Sequence, residues 1–362
     1  MFAFVAVPGS APGSVLFCRK PTQPPTESSV INNMPARILL IGSTGQVGSD
    51  LNLALPRLGS VVPLNRAQLD QIDGKAMRAA IRGYHPDVVV NAAAYTAVDQ
   101  AESEPEIAEA VNAVAPQIMA EEARSLGFPL VHYSTDYVFD GTKGSPYAES
   151  DATNPLGVYG RTKLRGEQGI RETGADHLIL RTSWIYDTRG RNFLLAVLRL
   201  AASRDELRIV NDQHGAPTWS RAVAFATMHM LDTILSLPQE QRSKFWGTYH
   251  VTAAGETTWC EFARAILANC TDAHILTPEL RDKVGAGLQA RSVVPISTAE
   301  YPTPARRPLY SVLSNDKLER TFQIALSSWQ EQLRMAMLSG SAAPLVKSSI
   351  AAHQTSNLPH PQ

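Results

Sequence analysis

The sequence predicts an α/β protein in which a doubly wound parallel sheet is followed by a smaller C-terminal lobe. Short apolar runs alternate with amphipathic helical stretches from Arg37 to about Trp184, and polar or Gly/Pro residues punctuate each run. Beyond Trp184 the alternation loosens and helical patterns dominate. Parallel strands are buried on both faces and read as continuous apolar runs, while the connections between them need crossover helices.

Taken in chain order, the strands are expected at Arg37–Ile41, Ser60–Leu64, Asp87–Ala92, Pro129–Ser134 and His177–Thr182. Between them, Gln46–Leu55, Gly74–Gly83 and Glu106–Leu126 have the spacing of crossover helices. In the second lobe, helices are expected at Asn192–Ser203 and Arg221–Leu235, and Thr258 with Glu261 forms a capping-box pattern ahead of Phe262–Leu267. The lobes are placed at 34–186 and 187–338, with some exchange of elements between them allowed. Residues 339–362 become polar and read as a disordered tail. Residues 1–33 read as a disordered leader: Cys18–Asn33 is rich in Pro, Ser and Thr and lacks periodicity. Met1–Leu16 has no basic residue ahead of its apolar part and is broken by Pro8 and Pro12, unlike a secretory signal, so Met34 is the expected natural start.

The chain has 362 residues, more than one average domain of roughly 150. A formal net charge of -1 gives no reason to expect nucleic acid or an anionic membrane as partner, leaving a small molecule. Cys18, Cys260 and Cys270 are an odd set without C-x-x-C spacing, which argues against a disulfide framework and a zinc site and fits a reducing cytoplasm. No apolar run approaches the ~20 residues of a membrane span, so a soluble, cytoplasmic protein is expected.

The first strand runs directly into Gly42-Ser43-Thr44-Gly45-Gln46-Val47-Gly48, and a helical pattern follows. Glycines allow close backbone approach, and the helix N-terminus offers unpaired N–H groups to a pyrophosphate. The spacing is G-x-x-G-x-x-G, weak by itself; the buried strand before it makes a dinucleotide-binding Rossmann turn the better reading. Where an acidic residue would hold ribose hydroxyls, the second strand ends in Asn65-Arg66. Arg66 suits a 2′-phosphate and equally an ordinary surface charge, so NADPH and NADH both stand. Asp70 suits an adenine contact or a cap for the helix at Gly74.

Tyr159 and Lys163 are four residues apart, which on a helix places phenol and ammonium on one face. A tyrosine of ordinary pKa ≈ 10 delivers a proton more readily when a cation stabilises the phenolate left behind, and Lys163 can also hold the nicotinamide ribose. By spacing alone, such a pair is more often a surface accident. The strand ahead of it changes the balance, because it ends in hydroxyls at Ser134 and Thr135, and ligands of open parallel sheets lie beyond strand carboxyl ends. A hydroxyl there can polarise a substrate carbonyl. The Asn91–Thr96 strand end supplies small residues beside the cofactor.

From about Met34 to Phe322 the chain resembles the extended short-chain dehydrogenase/reductase family, through GSTGQVG, NAAAYTAVDQAE, STDYVFDG, YGRTK, RTSWIY, DQHGAPT and ARRPLYS in order. The resemblance, specifically to the branch acting on 4-keto nucleotide sugars, implies hydride transfer from a nicotinamide to the C4 ketone of dTDP-4-dehydro-L-rhamnose. The product would be dTDP-L-rhamnose. It implies Tyr159 as general acid, Lys163 as its electrostatic partner and Thr135 as the hydroxyl tuning the phenol. Gly42, Thr44, Gly45, Gln46, Val47 and Gly48 would surround the pyrophosphate, Asp70 and Gln71 the adenosine end, and Ala93, Ala94, Tyr95 and Thr96 the middle of the cofactor. Thr96, Thr135, Asp136 and Trp184 would meet the sugar nucleotide, with Val98, Tyr137 and Asn192 as weaker members of that pocket. For Trp184, a core aromatic at a strand end is an equal alternative on the residues alone.

Tyr95 and Tyr310 depart from the family pattern, which has histidine in several relatives and asparagine at these places. Certain relatives dimerise through magnesium on glutamates; Asp50 stands at one such place, a shorter carboxylate that makes magnesium doubtful while leaving a homodimer possible. Arg306 and Arg307 suit a nucleotide diphosphate or a solvated run. His85, His132, His177, His214 and His250 lack metal-ligand spacing and read as packing or surface, with His214 in a loop that the resemblance places near the cleft between lobes. The rival functions are a nucleotide-sugar epimerase or dehydratase and a non-catalytic regulatory subunit of the same fold.

Overall fold

The computed structural model describes residues 36–270, 277, 280, 287–339 and 346–348. The expected leader, the proposed start at Met34 and most of the expected tail lie outside the described residues.

Five parallel strands come from the first half of the chain: β1 (Ala36–Ile41), β2 (Gly59–Leu64), β3 (Val88–Asn91), β4 (Leu130–Thr135) and β5 (His177–Thr182). A sixth strand, Gly247–His250, adds in parallel to β5, giving the order β2-β1-β3-β4-β5 and then Gly247–His250. Alternate residues face opposite layers, as a pleated strand requires. Ile38 and Leu40 enter one core with Leu51 and Ala224, while Leu39 and Ile41 enter another with Met77 and Met119.

Helices among the described residues include α1 (Gln46–Ala54), α2 (Gly74–Tyr84), α3 (Val98–Ala101), α4 (Pro105–Glu109), α5 (Ala115–Leu126) and α6 (Val158–Glu172), then α7 (Phe193–Ala201), α8 (Ser220–Leu235) and α9 (Trp259–Ala268). The single helix expected at Glu106–Leu126 is interrupted by a π turn at Ala110–Val114. Pro116 has no N–H to return to the preceding turn, and the wider turn accommodates it. The cap of α2 is Asp73, whose carboxylate accepts from Lys75 N and Ala76 N at 3.0 and 2.9 Å. Asp70 instead accepts from Ile72 N. Thr258 caps α9 by accepting from Glu261 N at 3.2 Å, whereas the Glu261 carboxylate pairs with Arg264 rather than closing the box.

Register decides where the site lies. Ile41 pairs with Leu64 and with Asn91, so β1, β2 and β3 end level. His132 is level with Asn91, and β4 runs on to Thr135 beside Thr182 of β5. The β4 end therefore projects past its neighbour, beyond the point between β1 and β3 where strand order reverses, the place for a ligand in an open sheet. Within the expected tail, Val346–Ser348 pairs antiparallel with Ile324–Leu326, a departure from uniform disorder there. No helix among the described residues is long and apolar enough to cross a membrane.

Candidate active site

Beyond the strand ends lies a cleft of about 710 Å³. The glycine turn forms one wall. Gly42 has φ +83° and lies so close to β3 that a Cβ on it would meet Ala93 N at 2.5 Å. Gly48 does not line the cleft; a Cβ there would fall 2.0 Å from the Gly42 carbonyl, so its role is to seat α1 against the turn. No side chain caps the start of α1, which leaves its first amides for an anion. This backbone cradle fits a dinucleotide pyrophosphate.

Gly42, Thr44, Gly45, Gln46, Val47, Asp70, Gln71, Ala93, Ala94, Tyr95 and Thr96 all line the cleft, as do Thr135, Asp136, Tyr159, Lys163 and Trp184. Arg66 lines it too. Val98 and Tyr137 lie outside it, in a smaller crevice they share with Tyr159. Asn192 is also outside the cleft: its Oδ1 accepts from Leu195 N at 3.1 Å to cap α7, and its Nδ2 donates to Gln46 Oε1 at 2.9 Å.

Tyr159 sits on the first turn of α6, which packs tightly onto the loop after β4, since a Cβ on Gly160 would lie 2.2 Å from the Tyr137 carbonyl. Burial pushes the half-buried Tyr159 phenol up to about 12, opposed by a hydrogen bond with Thr135. Thr135 Oγ1 also donates to Asp136 Oδ1 at 3.0 Å and accepts from Tyr137 N at 3.1 Å. Burial lifts Asp136 to about 7 against hydrogen bonds from Ser311 and Thr135. Ser134 lines the cleft beside Thr135, as expected, while its hydroxyl donates to Glu167 Oε1 at 2.6 Å.

Lys163 is only 1% exposed. Its Nζ lies 2.5 Å from the Tyr133 carbonyl and 3.1 Å from His132 Nε2. Burial lowers it to about 8, and Glu167 pulls the other way. His132 is therefore no bystander in packing. Its other nitrogen lies 3.1 Å from Asn91 Nδ2, and Asn91 Oδ1 accepts from Gln71 Nε2 at 3.0 Å. Sequence periodicity concealed this: His132 alternates with apolar neighbours on a buried strand, and nothing in that pattern reveals a lysine arriving from α6. The π turn contributes as well, through Asn112, which accepts from Tyr95 N at 2.9 Å and donates to Tyr95 O at 3.1 Å.

At the other end of the cleft Trp184, at φ +47°, stacks on Trp259 with ring centroids 3.5 Å apart. Trp259, which the sequence reading passed over, donates from Nε1 to Gln213 Oε1 at 3.2 Å. The 212–218 loop reaches this place through Gly215, which lies against the Trp184 ring. Arg307 is committed to Asp99 in a two-pronged pair, at 2.8 and 3.0 Å. Asp50 is fully buried, accepts from Ser220 Oγ at 2.6 Å and pairs with Arg189 and Arg221. A carboxylate so enclosed by two guanidinium groups does not fit a metal ligand shared between copies, and among the described residues no group of three or more His, Cys, Asp or Glu is placed to hold a metal ion.

The model of the family described as RmlD substrate binding domain matches residues 36–340. A dTDP-4-dehydrorhamnose reductase of Burkholderia thailandensis is 46% identical over 295 residues, covering 81% of this chain and 95% of its own. That of Escherichia coli is 42% identical over 297 residues, with 81% and 94% covered. The crystal structure of dTDP-4-dehydrorhamnose reductase from Bacillus anthracis in complex with NADP is similar at TM-score 0.72 and 30% identity, over 84% of this chain and 99% of that one. A UDP-glucose 4-epimerase of Thermus thermophilus in complex with NAD, 20% identical at TM-score 0.62 over 83% and 97% of the two chains, shares the fold alone. On the match to the family model and the identity along most of its length, the chain belongs to the dTDP-4-dehydrorhamnose reductase family.

Proposed function

We propose that this chain reduces the C4 ketone of dTDP-4-dehydro-L-rhamnose to dTDP-L-rhamnose, with NADPH or NADH as reductant and Tyr159 as proton donor. The observation that carries the proposal is the convergence of Tyr159, Lys163 and Thr135 on the same cleft as the glycine turn. When bound, the reduced nicotinamide supplies the hydride.

The chain does the rest. The turn from Gly42 to Val47 holds the pyrophosphate, Asp70 and Gln71 the adenosine end, and Ala93 to Thr96 the middle of the cofactor. Arg66, which lines the cleft, would meet the 2′-phosphate of NADPH. Thr135 orients the phenol, Asp136 and Trp184 hold the sugar nucleotide, and Tyr159 protonates the oxygen at C4. An ammonium at Lys163 favours the phenolate that remains.

Tyr159→Phe is expected to abolish turnover while cofactor binding persists; retained turnover would overturn the assignment. Stoichiometric consumption of NAD(P)H with the 4-keto sugar separates a reductase from an epimerase or dehydratase that recycles its NAD.

A further inference from the structure

One hydrogen bond near Lys163 has a fixed direction, and the others follow from it. The Ala93 backbone N–H can only donate, and it donates to Asn91 Oδ1 at 3.2 Å. An asparagine amide can be turned over in principle, but a backbone amide cannot, so Asn91 presents its NH₂ to His132 Nδ1 at 3.1 Å. His132 Nδ1 must then accept. A neutral imidazole that accepts at Nδ1 carries its proton on Nε2, and that N–H faces Lys163 Nζ at 3.1 Å. An ammonium has no lone pair to receive it. The contact is a hydrogen bond only when Lys163 is the neutral amine, accepting from His132 and donating to the Tyr133 carbonyl.

We propose that Asn91 and His132 are positioning residues that hold Lys163 as the uncharged amine, and that engagement of the nicotinamide ribose draws the lysine off His132 with uptake of a proton from solvent. This rests on the role proposed above for Lys163. The groups facing the lysine agree with it. His132, on β4, is fully buried and held well below its ordinary value by that burial, so it does not take the proton itself. Glu167, one turn further along α6, is already paired with Arg181 of β5 at 2.6 and 2.8 Å and with Arg171 at 3.2 Å. Tyr159 and Asp136 share the cleft wall with Lys163. Burial has lowered Lys163 to about 8, which makes the amine accessible. The consequence, above pH about 8 where the amine predominates, is an ordered site in which Tyr159 remains a weak acid until the cofactor has brought an ammonium beside it.

The test is calorimetric titration of the enzyme with NADPH, and with NADH, in pairs of buffers of different ionisation enthalpy. Dependence of the observed heat on the buffer reads the protons taken up. For a lysine moving from about 8 toward its ordinary value near 10.4, uptake should be about half a proton at pH about 8, peak at about 0.9 near pH about 9 and fall toward zero below pH about 7. Phosphate groups, with a second pKa of about 6, are already ionised in that window. Asn91→Asp reverses the chain, since a carboxylate accepts from both Ala93 N–H and His132 Nδ1–H and frees Nε2 to receive an ammonium; uptake should vanish while cofactor still binds. Lys163→Met should also bind without uptake. Binding by the unaltered enzyme with no uptake across the window overturns the proposal alone, as does uptake that survives in Lys163→Met. Failure of both cofactors to bind the unaltered enzyme overturns the reductase reading, and this proposal with it.

Discussion

Replacing Gly215 by Ala tests whether Trp184 shapes the sugar site. An added Cβ would meet the Trp184 ring at 2.4, 2.6 and 2.7 Å, from Cε2, Cζ2 and Nε1. Carbon atoms in ordinary contact sit about 3.5–4.0 Å apart, so the ring must retreat by about 1 Å. It has little freedom, being stacked on Trp259 at an interplanar angle of 7° while Trp259 is itself packed against Phe193. Overpacking of this kind costs about 1–3 kcal/mol, and a misplacement of about 1 Å in a substrate-positioning group costs up to roughly 100-fold in rate. The expected outcome is a fall of roughly 10- to 100-fold in kcat/KM for the 4-keto nucleotide sugar, carried mainly by KM. Cofactor affinity should stay within about twofold, because the glycine turn is not touched. Steady-state kinetics, cofactor titration and a thermal melt measure the three quantities. Trimming the neighbour with Trp259→Leu in the Gly215→Ala background should restore part of the loss by giving the ring somewhere to go. A folded Gly215→Ala enzyme with unchanged kcat/KM would show that Trp184 does not contact the sugar.

Three further outcomes are expected. Glu167→Gln leaves the buried Arg181 guanidinium without its carboxylate and should destabilise the fold by about 3–5 kcal/mol in urea unfolding; a loss under about 1 kcal/mol contradicts the ion pair. Asp136 is held near 7, above the ordinary value of about 3.9, so its protonated form favours the fold. That contribution is complete below pH about 4 and disappears as pH rises through about 7. Asp136→Asn should therefore gain stability relative to the parent between pH about 4 and about 7, and a difference independent of pH would show the carboxyl to be unperturbed. Arg66→Ala should weaken NADPH binding by about tenfold while sparing NADH; equal losses, or none, would remove Arg66 from the 2′-phosphate.

Much of the scaffold was legible because strands and turns are local. The apolar runs that became β1 to β5 are bounded by their own punctuation, and the glycine turn announces itself by following one of them. The strand Gly247–His250 was not legible: four residues, two of them Gly and Thr, carry no apolar run, and only the exposed edge of β5 makes a strand of them. In the site, the hydroxyls at the end of β4 looked equivalent in sequence, yet Ser134 turns to Glu167 and Thr135 to the phenol. Asn192 likewise read as a substrate contact and instead ties α7 to the glycine turn. Successive strand residues point to opposite faces, so which hydroxyl meets the ligand depends on what packs against each face.

The sequence by itself determined the parallel sheet, the phosphate-binding turn, and the helical spacing that sets Tyr159 and Lys163 on one face. Each follows from short-range rules of hydrophobic period, backbone freedom and helix geometry. Only the tertiary structure decided that Lys163 bonds to His132 and Tyr133, that Trp259 backs Trp184, and that Asp50 is closed off by two arginines. These contacts join residues distant along the chain, and the direction of their hydrogen bonds exists only once the strands and helices have packed.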